Sequence, residues 1–403
     1  MPLIHTADGE YLFAIDDHAD TRNGRPQWVV YHGDTVVADR HSYEAAHVAR
    51  PPVPPDPPDP PTDLPLPPVV GLGPQREIPV TDASDGTLIN RGYAYYSAAF
   101  VSPGGETAFV LGATREQGPS VWGVDLHSEH VTRIGKLTGY PGEAEGWAWT
   151  PQGEIHLCDG SRYRRVNPFT GQDTVLYDLS DPTTGEGHHP GCDLWQPHSS
   201  DDGQVHSATV RQIVSDGKYP YLGTLVWYRG RPRYFPAIGD LDESALDSTG
   251  EFVVIKEKRD GLLHNRIIEL ATGITQTLTN AQGAVGHSDM GPGLLIGEWS
   301  PQHGEADGQC VLWDLRGPLV PERRRTLFYT WGMGHVSYRA GRCLLSGPQA
   351  LSLLPLDGSG PQHLIDHGMA GEPHGNLDHS GRVAVFMSNH GTDRLDLSLL
   401  VLP

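Results

Sequence analysis

The chain has 403 residues, 37% of them hydrophobic, and a formal charge of −21 from 29 basic and 50 acidic side chains. That balance excludes a nucleic-acid partner, because neutralising phosphates needs a basic face; an anionic ligand is repelled unless a metal or clustered arginines reverse the field locally. No run reaches the roughly 18 apolar residues of a membrane span, so no membrane insertion is expected.

The first residues, MPLIHTADGEYLF, lack a basic segment followed by an apolar one, so cytoplasmic synthesis is expected. Residues 1–50 predict a small β-rich module, with EYLFAI, QWVVYHG and TVVADR as strands and SYEAAHVAR as a short helix. A module of that size is marginal unless it packs on something, which makes it a candidate for docking to another protein. Residues 51–75 form a linker. Its core, PPVPPDPPDPPTDLPLPP from Pro51 to Pro68, favours neither helix nor sheet and predicts polyproline II, with a reach on the order of 55 Å at about 3.1 Å per residue.

From residue 76 onward one pattern recurs. In its clearest copy, Ala98 to Leu137, AAFVSPGGETAFVLGA reads as strand, turn and strand, SVWGVDL as a third strand and VTRIGKL as a fourth. Four short strands joined by turns make one propeller blade. The turn glycines Gly105, Gly153, Gly203, Gly250, Gly293, Gly341 and Gly381 mark seven copies, 40 to 50 residues apart. A period in the forties with two-residue alternation predicts an all-β, seven-bladed propeller over residues 76–403, and the 49 glycines and 35 prolines fit its many turns. The chain ends one strand after the seventh hairpin. REIPV from Arg76 is therefore expected to complete the last blade and cover the sheet edge.

Four histidines keep nearly one phase in this repeat. His198 lies five residues before Gly203, His287 six before Gly293, His335 six before Gly341 and His374 seven before Gly381. In a closed ring one phase means one height, so four imidazoles are expected to converge on one mouth of the channel. Neutral imidazole is the commonest metal ligand, and three of them suit Zn²⁺ or Mn²⁺. The phase brings other residues to the same neighbourhood: Tyr95 and Tyr96 in the first blade, Glu145 and Trp147 in the second, Asp242 and Glu243 in the fourth. Asp289 and Glu372 lie within two residues of a phased histidine. His188 and His189, in TTGEGHHPG, are expected to overhang the mouth.

Cys158, Cys192, Cys310 and Cys343 form no CxxC pair and read as reduced, buried thiols. Nucleophile elbows, HExxH and phosphate loops are absent.

The FVSPGG and HSGRVAVFMSN hairpins resemble the TolB-type propeller blade, and within that group the chain is similar to the oligogalacturonate lyases. That resemblance implies a divalent metal held by histidines at the starts of inner strands, with His374 as the last of these ligands and His287, in VGHSDMG, as an earlier one. Where the family pattern has a glutamine and a His-x-His, this chain has GEPHG, leaving Glu372 and His374. The expected activity is cleavage of an acidic, uronate-containing oligosaccharide by β-elimination. His287, His335 and His374 then hold the metal, His198 removes the α-proton and Arg211 steadies the enolate-like charge. The alternative is a non-catalytic glycan- or partner-binding propeller on an anchor and rod, as on a viral or surface appendage.

Overall fold

In the computed structural model, the N-terminal part is described for the strands Leu3–His5, Tyr11–Asp16, Trp28–His32 and Thr35–His41. From residue 74 onward the structure describes everything except 87–98, 117, 138–145, 213–219, 300–307, 330–333, 348, 369–372 and 390–393. The chain divides into two compact units, Met1–Pro65 and Leu66–Pro403. The four N-terminal strands make an antiparallel sheet in sequence order. Most of the proline-rich linker lies outside the described residues.

The second unit is a ring of seven four-stranded antiparallel sheets. Six take their strands consecutively, so each blade meanders outward from an inner strand. The inner strands are Ala99–Val101, Trp147–Trp149, Cys192–Ser199, Asp240–Leu246, Ser288–Gly291, Val336–Arg339 and Asn376–Leu377, in blades one to seven. The seventh sheet closes as expected. Arg76–Pro79 pairs antiparallel with Asp396–Val401, and Ile78, 2% exposed, enters the core opposite Leu399. The two ends of the unit therefore share one sheet, and no blade is left a strand short.

The core lies between blades, where alternate side chains of adjacent sheets interdigitate. Trp122, Trp147, Trp149, Trp227 and Trp313 are its largest fully buried side chains. Trp147 thus belongs to this packing, at 1% exposure among Leu157, Val385 and their neighbours, and not to the mouth. All four cysteines are free and buried, and burial pushes the Cys310 thiol up to about 12. Among the described residues, no helix is long and apolar enough to cross a membrane.

Candidate metal centre at the channel mouth

The turns joining the inner two strands come in two lengths, and this decides which histidines share a level. In blades five and six the last paired rungs are Gly291 with Leu294 and Arg339 with Arg342, which places the marker glycine two residues past the last inner-strand partner. In blades three, four and seven the last rungs are Ser199 with His206, Leu246 with Val253 and Leu377 with Ala384, and there the glycine is four residues past. Counted from the rungs, His287 and His335 lie four residues before the end of pairing and His374 three. His198 lies one residue before it. At about 3.3 Å per residue, His198 sits roughly 7–10 Å deeper along the channel than the other three.

The other three meet. The His287 and His335 ring centroids are 4.6 Å apart with planes inclined 26°, and those of His335 and His374 are 4.2 Å apart at 47°. Exposure falls across the row: the His287 side chain is 53% exposed, His335 is half-buried and His374 is 4% exposed. His374 adopts the left-handed backbone region at φ 47°, a conformation few non-glycine residues take and one that clusters at functional sites. Its neighbours hold it there. Met387 N–H donates to Pro373 O at 2.9 Å, and Gly375 N–H donates to Ser346 Oγ at 2.7 Å. Ser346 in turn donates its backbone N–H to His335 O at 2.8 Å, so one serine ties two of the histidines to the same scaffold.

The donor chemistry fits a divalent transition metal, since three imidazoles from consecutive blades lie side by side. As they stand, His287 and His335 stack and His374 is tilted against His335. Among the described residues, no three His, Cys, Asp or Glu donors close around a common point.

The same level continues into the neighbouring blades. In blade four Glu243 pairs with Lys256 three rungs from the turn, and the exposed Asp242 occupies the bulge beside it. Lys256 is 1% exposed and makes an ion pair with Glu243. Burial pulls its ammonium down to about 8, against the upward pull of Asp242 and Asp289. In blade three Trp195 stands three rungs from the turn, and the Arg211 guanidinium lies 3.9 Å over its ring. Arg211, 8% exposed, thus packs on the inner strand of its own blade.

Several expectations are corrected. His198 is 3% exposed, accepts Leu246 N–H on Nδ1 at 3.4 Å, and has its own carbonyl held by the Tyr163 hydroxyl at 2.8 Å. It lines a cavity of about 30 Å³ near the turn end of the channel with Thr150, Asp201, Ser248 and His379. Burial first, then the charge of Arg339, keeps it neutral by lowering its pKa well below the usual histidine value. It ties blade three to blade four and does not join the mouth. Asp289 is also deeper: its carboxylate accepts Tyr338 N–H at 2.8 Å and pairs with Arg339 at 2.7 Å, a contact between blades five and six. His189 packs against Tyr234 of the outermost strand of blade three, the ring centroids 4.2 Å apart, and its loop is fixed there by Glu186 accepting Tyr234 N–H. His189 therefore belongs to the outer rim, with His188 beside it in the same loop. Tyr95, Tyr96, Glu145 and Glu372 lie outside the described residues.

Two charged residues at this level escaped sequence reading, both on second strands. One is Lys256, within FVVIKEKR. The other is Glu298, whose Oε2 lies 3.6 Å from His287 Nδ1. A charge interrupting an apolar strand was the available signal.

Fold and site together define a seven-bladed β-propeller with three imidazoles at one mouth. Solved structures similar to it include an oligogalacturonate lyase from Vibrio parahaemolyticus, 9% identical, with a TM-score of 0.58 over 81% of this chain and 93% of that one. An oligogalacturonate lyase in complex with manganese is 12% identical, with a TM-score of 0.58 over 100% of this chain and 97% of that one. A putative TolB from Agrobacterium tumefaciens, 12% identical, is more distant at a TM-score of 0.42 over 70% and 98%. At these identities the likeness is one of fold. No family model matches the sequence, and no curated protein matches it.

Proposed function

We propose that this propeller is a metal-dependent lyase acting on uronate-containing oligosaccharides by β-elimination. The observation that carries the reading is the contact of His287, His335 and His374, from three consecutive blades, at one channel mouth. The manganese complex of a propeller with the same fold supports it. His287, His335 and His374 would hold the divalent ion, Mn²⁺ or Zn²⁺, which when bound supplies Lewis acidity to the uronate carboxylate and so acidifies the proton α to it.

The remaining roles fall to this chain's own groups at the same level. Asp242, exposed beside the Glu243–Lys256 pair, takes the α-proton in place of the buried His198. The Arg211 guanidinium, held flat on Trp195, balances the negative charge that develops on the carboxylate as the proton leaves. Loss of the β-glycosidic oxygen then leaves an unsaturated sugar, and the released oxygen takes a proton from water while Asp242 returns its own to solvent. The chain's net charge of −21 makes these local cations necessary for an acidic substrate to approach.

Adding uronate oligomers and Mn²⁺ to the full chain should raise the ultraviolet absorbance as unsaturated product accumulates. Asp242→Asn should slow that rise by about a hundredfold, at the lower end of what a general base contributes, and leave metal uptake unchanged. A flat absorbance trace with wild-type protein that does bind the metal would instead favour the non-catalytic glycan-binding reading.

A further inference from the structure

We infer that Glu298 is a positioning residue that fixes the tautomer of His287, an inference that rests on reading the three histidines as a ligand set. The two residues face each other across the inner strands of blade five. Glu298 N–H donates to His287 O at 3.3 Å, and Gly286 N–H donates to Glu298 O at 2.8 Å, so the backbone locks this register. The register is tight at the side-chain level too. A Cβ on Gly297 would fall 2.4 Å from Ser288 Cβ and 3.0 Å from Val285 Cβ, so the facing strand packs directly on this position.

In this frame the Glu298 carboxylate, 23% exposed, lies 3.6 Å from His287 Nδ1. At that distance the carboxylate faces the Nδ1 edge of the ring without a full hydrogen bond. A carboxylate accepts and never donates when ionised, so a neutral imidazole facing it carries its proton on Nδ1. The lone pair is then on Nε2, the atom left to bind a cation. A carboxylate behind a ligating histidine orients the ring and raises its basicity.

The neighbouring blade shows that this is not a property of the repeat. The residue that donates its backbone N–H to His335 O is Ser346, whose hydroxyl is engaged by Gly375 N–H. Glu298 thus serves the most exposed ring of the three, the one with the least packing to hold its orientation.

The test uses the full chain with Mn²⁺ alone and needs no substrate. Nitrogen-15 spectra of the imidazoles in metal-free protein at alkaline pH, assigned by comparison with His287→Ala, should show His287 protonated on Nδ1. Glu298→Leu should shift it to the Nε2–H form and weaken Mn²⁺ binding by roughly 10- to 100-fold. Glu298→Gln, whose amide oxygen still accepts, should keep the wild-type tautomer and bind within a few-fold of wild type. An Nε2–H tautomer in the wild-type protein overturns the inference, as does Glu298→Leu binding as tightly as wild type. If wild-type protein takes up no Mn²⁺, the ligand-set reading fails, while the tautomer still decides the part played by Glu298.

Discussion

Replacing Lys256 with methionine should destabilise the propeller by about 3–5 kcal/mol, the usual cost of leaving one member of a buried ion pair without its partner. Lys256 is 1% exposed and the Glu243 side chain 11%, so neither charge has water to fall back on. With Lys256 gone, Glu243 and Asp289 lose the cation they share in the channel, although Asp289 keeps Arg339. The double variant Glu243→Leu/Lys256→Met should recover most of the loss, because replacing a whole buried pair by packed apolar groups is often neutral or stabilising. Urea unfolding of the two variants and the wild type measures this directly. A single variant as stable as the wild type would mean that the pair is not closed off from solvent.

Acid should unfold the propeller at pH values where its carboxylates are still largely ionised. His156, His198 and His206 are all buried, and burial lowers each pKa, that of His206 to about 4. His156 and His206 lie 5.1 Å apart and pack on Tyr163, so a proton on either opposes one on the other. The unfolded chain protonates these residues near 6.5, and the folded chain resists. Stability from this source is therefore complete above about pH 6.5 and is lost as the pH falls toward 4. His206 alone accounts for about 3 kcal/mol between pH 7 and pH 4, and His156 and His198 act in the same direction. Asp247 and Asp193, whose carboxyls burial raises, work the other way, against these three histidines and His367, which burial also lowers. Unfolding midpoints at pH 7 and pH 4.5 should differ clearly. Equal midpoints would mean that these imidazoles have access to water or to a compensating charge. The His206→Phe variant should flatten the profile.

The sheet architecture was legible because its signals are local. Two-residue alternation, a glycine at each inner turn and an unpaired final strand sufficed to place Arg76–Pro79 beside Asp396–Val401. His287, His335 and His374 were legible for the same reason, each standing just before its inner strand. His198 was misplaced because the glycine used as a ruler occupies different positions in short and long turns, a two-residue difference that only the pairing reveals. Trp147 carries no mark that separates a core residue from a mouth residue when the blade's neighbour is unknown. Asp289 and Arg339 pair between blades, 50 residues apart. Lys256 and Glu298 act across a strand pair, so their roles depend on register, which hydrophobic pattern alone does not set to the residue.

The account depends on His287, His335 and His374 forming one cation site, and metal content measures that most directly. After dialysis against Mn²⁺ and removal of excess, the full chain should retain close to one ion. His335→Ala, which removes the ring touching both others, should retain almost none, and His198→Ala should match the wild type. A wild-type chain that retains no ion, or a His335→Ala chain that retains as much as the wild type, would contradict the account.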